Sequence, residues 1–324
     1  MNWEGRNILI TGASGFVGSW LAESLVNKKA NVIALVRDYV PISTLNYMGT
    51  DQKFKAIVNG DITDFFTVKR VFNEYEIDTC FHLAAQTIVG VANRSPIPTF
   101  ETNIKGTWNI LEVALNSKTI ERIVIASTDK VYGEPIKLPI KEDHPILAIY
   151  PYDASKACAD ILSHTYFTTY GLPIGITRCC NIYGGGDLNF SRIVPDTVRS
   201  VIFNKNPIIR SDGTPVRDFI FITDVVAAYL KLGENLERKN VKGEAFNFGS
   251  NTPTKILDVV NKIIKISGKN LKPRILGKGK QKGEISVQYL SSEKAEKLLK
   301  WKPKVPLEKG LEKTIEWYTN FFSS

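Results

Sequence analysis

The chain has 324 residues, 43% hydrophobic and 23% charged, which suits a large α/β domain with a sizeable core and a smaller lobe. Its 42 Lys and Arg against 33 Asp and Glu give a net charge of +9. The lysines are scattered over helices and the stretch 262–304, with no basic stripe carrying interleaved aromatics. A dedicated nucleic-acid module is therefore not supported, whereas a ligand bearing a diphosphate fits the charge. No apolar run is long enough for a membrane span, and the opening MNWEGRN leads into no apolar leader, so a cytoplasmic protein with no membrane partner is expected. Cys80, Cys158, Cys179 and Cys180 lack metal-type spacing and read as free thiols in a reducing compartment. His82, His144 and His164 stand apart, and no metal set emerges.

The first predicted strand is Ile8–Thr11, and it runs into glycines at Gly12, Gly15 and Gly18. A buried strand turning sharply into a helix has this form. Gly12 would permit the turn, Gly15 would let the backbone approach a pyrophosphate, and Gly18 would let the helix pack closely. The following helix carries Phe16, Val17, Trp20, Leu21 and Leu25 on its apolar face. A second strand, Val32–Val36, ends at Arg37 and Asp38, where a dinucleotide fold meets the adenosine ribose. Asp38 suits the 2′-hydroxyl of NAD and Arg37 the 2′-phosphate of NADP, so the sequence leaves the two cofactors open. A third strand at Phe54–Val58 leads to Asp61, a candidate adenine contact, with Ile62 beside it.

A helix is expected around Phe65–Tyr75, then a strand at Thr79–Leu83 closed by Ala84, Ala85 and Gln86. The small pair suits close passage beside a cofactor, and Gln86 and Thr87 can reach a sugar. A helix from about Thr102 to Asn116 places Ile104, Trp108, Leu111 and Leu115 on one face, with Asn103 near its start. Strand Arg122–Ala126 opens into Ser127, Thr128, Asp129 and Lys130. Repeated strand–helix units of this length predict a Rossmann-like, doubly wound parallel sheet in an α/β fold. After Tyr183 the Gly184–Gly186 run marks a boundary. A helix at Arg192–Phe203, an extended stretch at Gly213–Phe221 and a helix at Lys255–Ser267 follow, and the last 70 residues read as short elements. The expected division is a dinucleotide-binding domain at 1–183, rejoined by about 222–250, with a mixed α/β lobe from 184–221 and 251–324. Asp224 reads as a helix cap or internal acceptor.

Tyr152 and Lys156 lie four apart in YDASK, on one face of a predicted helix. A lysine ammonium beside a tyrosine favours the phenolate, and the lysine can also bind a nicotinamide ribose. Thr128, at the C-terminal end of its strand, offers a hydroxyl to the same sugar oxygen. Phenol, ammonium and hydroxyl together suit removal of an alcohol proton while the carbon gives a hydride to a nicotinamide. A non-catalytic dinucleotide-binding protein would need the glycine turn alone.

The chain resembles the extended short-chain dehydrogenases/reductases, the superfamily of nucleoside-diphosphate-sugar epimerases and dehydratases. TGASGFVGS, HLAAQ, TNIKGT, STDKVYG, YDASK, RCCNIYGGG, GTPVRDFIFITDV and SSEKAEKLLKWKPKVPLEKGLEKTIEWY carry the resemblance in order over nearly the whole chain. It implies a recycled, tightly bound NAD or NADP held by Gly12, Gly15, Phe16, Val17, Gly18, Arg37, Asp38, Asp61, Ile62, Leu83, Ala84, Ala85, Asn103, Tyr152 and Lys156. It also implies a homodimer or homotetramer, with the helices Thr102–Asn116 and Asp153–Tyr170 as the dimer seam. Sugar 4,6-dehydratases commonly read Thr-Asp-Glu where this chain has Thr128, Asp129 and Lys130. Thr-Asp-Lys resembles the CDP-glucose 4,6-dehydratase branch, with GDP-, UDP- or dTDP-linked hexoses and N-acetylhexosamines as further candidates and 4-epimerase as the alternative reaction. Asp129 would be the acid for the departing 6-hydroxyl. Lys130 would be the C5 base or a stabiliser of the enolate. Asn181 and Arg217 resemble the residues that grip the diphosphate. Arg192 and Glu284 fall in the lobe expected to hold the nucleoside, and Gln86 and Thr87 beside the hexose.

Overall fold

A computed structural model describes residues 2–278 and 285–324. Seven strands form one parallel sheet: β1 (Asn7–Thr11), β2 (Asn31–Val36), β3 (Ala56–Asn59), β4 (Thr79–His82), β5 (Arg122–Thr128), β6 (Ile174–Cys179) and β11 (Ala245–Phe248). Their order is β3-β2-β1-β4-β5-β6-β11, so the direction of winding reverses between β1 and β4. In such a sheet the crevice at the C-terminal strand ends lies at that reversal, which fixes where a ligand sits.

The strands are near-continuous apolar runs because both faces are covered. Ile8 and Ile10 of β1 pack into one core with Leu21 and Leu25 of α1 (Phe16–Asn27), while Leu9 packs into the other. That second core holds Val68, Val71 and Phe72 of α3 (Phe65–Glu74), with Ile110 and Leu111 of α6 (Gly106–Leu115). The short helices α2 (Thr44–Met48), α4 (Val89–Arg94) and α5 (Pro96–Phe100) lie in the connections between these units.

Three expectations need correction. The third strand begins at Ala56, because Thr50–Lys53 forms a 3₁₀ turn capped at Phe54. The chain enters α6 through a π turn at Glu101–Lys105, and Trp108 points outward at 44% exposure instead of joining the apolar face. The wider turn advances the helix register, so Ile110, Leu111, Val113 and Ala114 carry the buried face. The C-terminal region is not a set of short pieces but holds the 17-residue α12 (Leu307–Ser323).

Beyond the sheet, α7 (Pro151–Tyr170) packs beside α6, and β7 (Asn181–Tyr183) pairs in parallel with β10 (Phe219–Phe221). The lobe is completed by α8 (Ile193–Ile202), β8 (Ile208–Ile209), β9 (Val216–Arg217), β12 (Thr254–Lys255), α10 (Ile256–Ser267), β13 (Arg274–Ile275), β14 (Val287–Gln288) and α11 (Glu293–Leu299). Helix α9 (Ile222–Asn235) returns the chain to the sheet, packing on α1. Asp224 in its first turn accepts from the backbone N–H groups of Lys304 and Val305, 3.0 and 2.9 Å away, and so anchors the C-terminal segment as an internal acceptor. Gly185 abuts Trp317 and Gly186 abuts Thr44, so the boundary loop is gripped by α12 on one side and α2 on the other.

Candidate functional site

One cleft of about 1150 Å³ runs across the C-terminal ends of β1, β2, β4 and β5 and into the lobe. It exceeds the usual size of a single small-ligand pocket, which suits two ligands end to end. At one end the strand–helix turn is built as the glycines require. Gly12 has φ +75°, and a methyl group there would stand 2.8 Å from the Ala84 nitrogen; one on Gly18 would overlap the Gly12 carbonyl oxygen. Helix α1 begins with Gly15 at its N-cap, with no side chain capping it and no acid in its first turn. Its first N–H groups and positive dipole end are thus left for an anion, and this fits a pyrophosphate.

Phe16, Val17, Arg37, Asp38, Asp61, Ile62, Leu83, Ala84 and Ala85 all line this end. The Arg37 guanidinium is folded onto the Asp38 carboxylate, Nε to Oδ2 2.7 Å, so the two ribose candidates are one ion pair. Asn103 is placed differently from the expectation. It does not line the cleft, and it is buried behind it. Its Oδ1 accepts from Gln86 N at 2.7 Å, and its Nδ2 donates to Gln86 O and to the Ser155 hydroxyl. Asn103 therefore holds the wall and does not form it.

Behind the same wall a directed chain of hydrogen bonds fixes Ala84. Ala84 N–H donates to the Thr11 hydroxyl, which lies 2.8 Å from His82 Nδ1. His82 Nε2 lies 3.1 Å from the Thr107 hydroxyl, which in turn donates to Asn103 O. Because Thr107 already donates onward, His82 Nε2 must carry the hydrogen and Nδ1 must accept. Only the neutral ring satisfies every partner, and burial pushes the imidazole down to about 3.

At the centre of the cleft, β5 delivers Thr128, and a 3₁₀ turn (Asp129–Tyr132) follows at once with Asp129 and Lys130. Helix α7 presents Tyr152 and Lys156 to the same space. The Thr128 hydroxyl donates to Asp129 Oδ1 at 3.2 Å and also bonds the Tyr152 phenol. Asp129 is 3% exposed, and burial raises its carboxyl above the ordinary range against the pull of Lys130. Burial likewise pushes Tyr152 up to about 12. The foremost charge pulling Tyr152 down is Arg192, not Lys156. The Lys156 ammonium is itself pushed down to about 8 by burial, with Asp160 one turn on pulling it up. Asp160 is held by Arg178 through two bonds of 2.9 and 2.8 Å, a buried bidentate pair that also engages the Tyr132 hydroxyl.

Gln86, Thr87, Asn181 and Arg192 line the lobe end. Arg192 pairs with the buried Asp187 at 3.0 Å, and Asn181 donates to Asp218 O at 3.2 Å. Arg217 does not line the cleft; its Nη1 donates to Val216 O, and its charge lowers the Asp129 carboxyl. Glu284 lies outside the described residues. The sequence reading passed over Asp153, whose carboxyl is pushed up to about 6 by burial and faces the fields of Lys130 and Asp129. Its place next to Tyr152, at the buried start of a helix, was the available signal. Among the described residues no cluster of metal-ligating side chains occurs, and no helix is long and apolar enough to cross a membrane.

Sheet, glycine turn and Thr-Tyr-Lys constellation together define an extended short-chain dehydrogenase/reductase of the nucleotide-sugar type. The family model described as GDP-mannose 4,6 dehydratase matches residues 9–314, and the chain belongs to that family. It is 30% identical to dTDP-D-glucose 4,6-dehydratase of Bos taurus, covering 98% of this chain and 90% of that one. It is 32% identical to a putative UDP-glucose 4-epimerase of Methanocaldococcus jannaschii, covering 97% and 98%. Among solved structures, dTDP-glucose 4,6-dehydratase of Bacillus anthracis in complex with NAD superposes with a TM-score of 0.85 at 28% identity, covering 98% and 97%.

Proposed function

We propose that the protein is a nucleoside-diphosphate-hexose 4,6-dehydratase that makes a 4-keto-6-deoxy sugar. The observation that carries this reading is Asp129. A buried carboxyl, raised by desolvation and placed against Thr128 and Tyr152, is a group kept for proton donation. Epimerisation at C4 has no chemical use for it.

The glycine turn, the α1 N-terminus and the Arg37–Asp38 pair would hold NAD or NADP, and Tyr152 and Lys156 its nicotinamide end. The bound dinucleotide supplies a hydride acceptor that is regenerated within the turnover. Tyr152 takes the C4 hydroxyl proton, with Thr128 holding the same oxygen. The C4 ketone acidifies the C5 hydrogen. Lys130 would remove that proton or stabilise the enolate. Asp129 would give its proton to the C6 oxygen, which leaves as water; the dinucleotide, when bound, would supply to C6 the hydride taken from C4, and the proton taken from C5 would be returned there. Asn181 would serve the diphosphate and Arg192 the nucleoside, with Gln86 and Thr87 beside the hexose. The Thr128-Asp129-Lys130 run favours CDP-glucose, with GDP-, UDP- and dTDP-linked sugars as the other substrates to compare.

A 4-epimerase is the second reading, favoured by the Methanocaldococcus relative and served by Thr128, Tyr152 and Lys156 alone. Product mass separates the two. Incubation with CDP-, GDP-, UDP- and dTDP-linked hexoses is expected to yield a product lighter by one water, with deuterium from C4 found at C6. A product of unchanged mass epimerised at C4 would replace the dehydratase reading.

A further inference from the structure

We infer that Gln288 is a positioning residue for Asp129, through which the second lobe aligns the acid of the elimination step; the inference rests on the dehydratase reading above. Gln288 ends β14, whose partner β9 carries Arg217 opposite it in register. The side chain is completely buried. Its Nε2 donates to the Asp129 carbonyl oxygen at 3.0 Å, tying β14 to the 3₁₀ turn that carries the acid. Its Oε1 is buried with no hydrogen-bond partner among the described residues.

That orphaned oxygen is the telling feature. Complete burial of an amide with one acceptor unmatched opposes folding, and an apolar side chain of the same volume would serve packing better. The residue is thus explained by its donor. Asp129 sits at the first position after β5, and its backbone has two fixed points: the strand behind it and Gln288 in front. A free turn could still rotate the carboxyl away from the C6 oxygen. General acid catalysis is sensitive to such displacements, whereas C4 oxidation draws on Tyr152, Lys156 and Thr128, none of which Gln288 touches among its described contacts.

The neighbouring strand segments set the charge around this contact. Asp129 and Lys130 come from the turn, and Arg217 and Asp218 from β9 and the residue after it; all three partners act on the Asp129 carboxyl. The neighbouring stretch of the same segment is stitched to the rest of the molecule independently, through Ile140 N to Tyr289 O and Ser291 N to Ile140 O. Loss of the Gln288 amide therefore leaves β14 in place and releases only the turn.

The test uses Gln288→Met and Gln288→Glu in the full chain, with C4-deuterated nucleoside-diphosphate hexose. Reduced cofactor is followed by absorbance in a single turnover and water loss by product mass, with a thermal melt of each variant. Gln288→Met is expected to melt at or above the wild-type temperature and reduce cofactor within about twofold of it, yet lose water about tenfold more slowly. Gln288→Glu places a carboxyl against the Asp129 carbonyl in the same fully buried position, so burial raises it above the ordinary glutamate range and it keeps its donor proton until the pH passes that raised value. Its water loss per reduced cofactor, taken relative to wild type, should match on the acid side and fall as the glutamate ionises with rising pH. A side chain that merely fills space would give no such profile. Wild type that dehydrates while both variants match its water loss within twofold overturns the inference alone. Wild type that forms no dehydrated sugar overturns the dehydratase reading and this inference with it.

Discussion

Replacing Asp129 by Asn tests the proposed division of labour at the site most directly. The side chain is 3% exposed, and Asn keeps its volume and the oxygen that accepts from Thr128 at 3.2 Å. Only the transferable proton is removed. General acid catalysis contributes roughly 10²–10⁴-fold, or about 3–5 kcal/mol, so water loss should slow by at least about a hundredfold. Oxidation should be spared. Burial is the main cause that raises the Tyr152 phenol, and a protonated Asp129 puts no charge beside it, so replacing that acid by a neutral amide leaves the phenol much as it is. Reduced cofactor and a 4-keto hexose should therefore accumulate at about the wild-type rate, visible by absorbance while product mass shows no water loss. Stability supplies an independent check. The folded carboxyl is raised above its unfolded value, so its favourable contribution is complete below about pH 4 and is lost as pH rises through the raised value. Asn should thus be the more stable variant at neutral pH, with the advantage vanishing in acid. Water loss at the wild-type rate would refute the role of Asp129, and loss of cofactor reduction would refute its separation from the oxidation step.

Two further perturbations follow from the electrostatics. Asp153→Asn removes a carboxyl raised to about 6, so the variant should gain on the order of 2 kcal/mol over wild type as pH rises from about 4 to 7, read by denaturant melts; parallel curves would refute the burial argument. Arg37→Ala should weaken NADP binding about tenfold and change NAD binding less than twofold in a fluorescence titration, because only the 2′-phosphate calls on the guanidinium. Unchanged NADP affinity would mean that Arg37 stays committed to Asp38, its partner at 2.7 Å.

The sheet and the cofactor end were legible in the sequence because their physics is local. A strand buried on both faces must read as an apolar run, and a turn at φ +75° pressed against Ala84 must be glycine at Gly12. Tyr152 and Lys156 were legible because helical spacing places them together. What escaped was the set of contacts between distant segments. Asn103 falls at the expected place along the chain, yet its amide faces Gln86 and Ser155, which nothing near it in sequence reveals. Trp108 was misplaced because a single π turn shifts every later residue of its helix. Gln288 lies 159 positions from Asp129, and no spacing rule joins an unremarkable glutamine in the lobe to a turn in the sheet.

The same limit holds at the phenol. Spacing of four residues puts Lys156 on the face of Tyr152, but spacing carries no information about burial. Lys156 is only 4% exposed, and desolvation brings its ammonium down to about 8, so it holds its own proton weakly. Arg192 lines the lobe end of the cleft, and its charge lowers the Tyr152 phenol. Its side chain is 41% exposed and is fixed by Asp187, whose own side chain is 3% exposed. A charge that lowers the phenol thus comes from the entry to α8, in the lobe, besides the lysine that the phenol's own helix carries into the cleft. On the proposed reading the lobe contributes to both proton steps: Arg192 acts on Tyr152 through its charge, and Gln288 holds the turn that carries Asp129. The sheet alone would supply the strand ends and the glycine turn, but neither the charge at the phenol nor the hold on the acid.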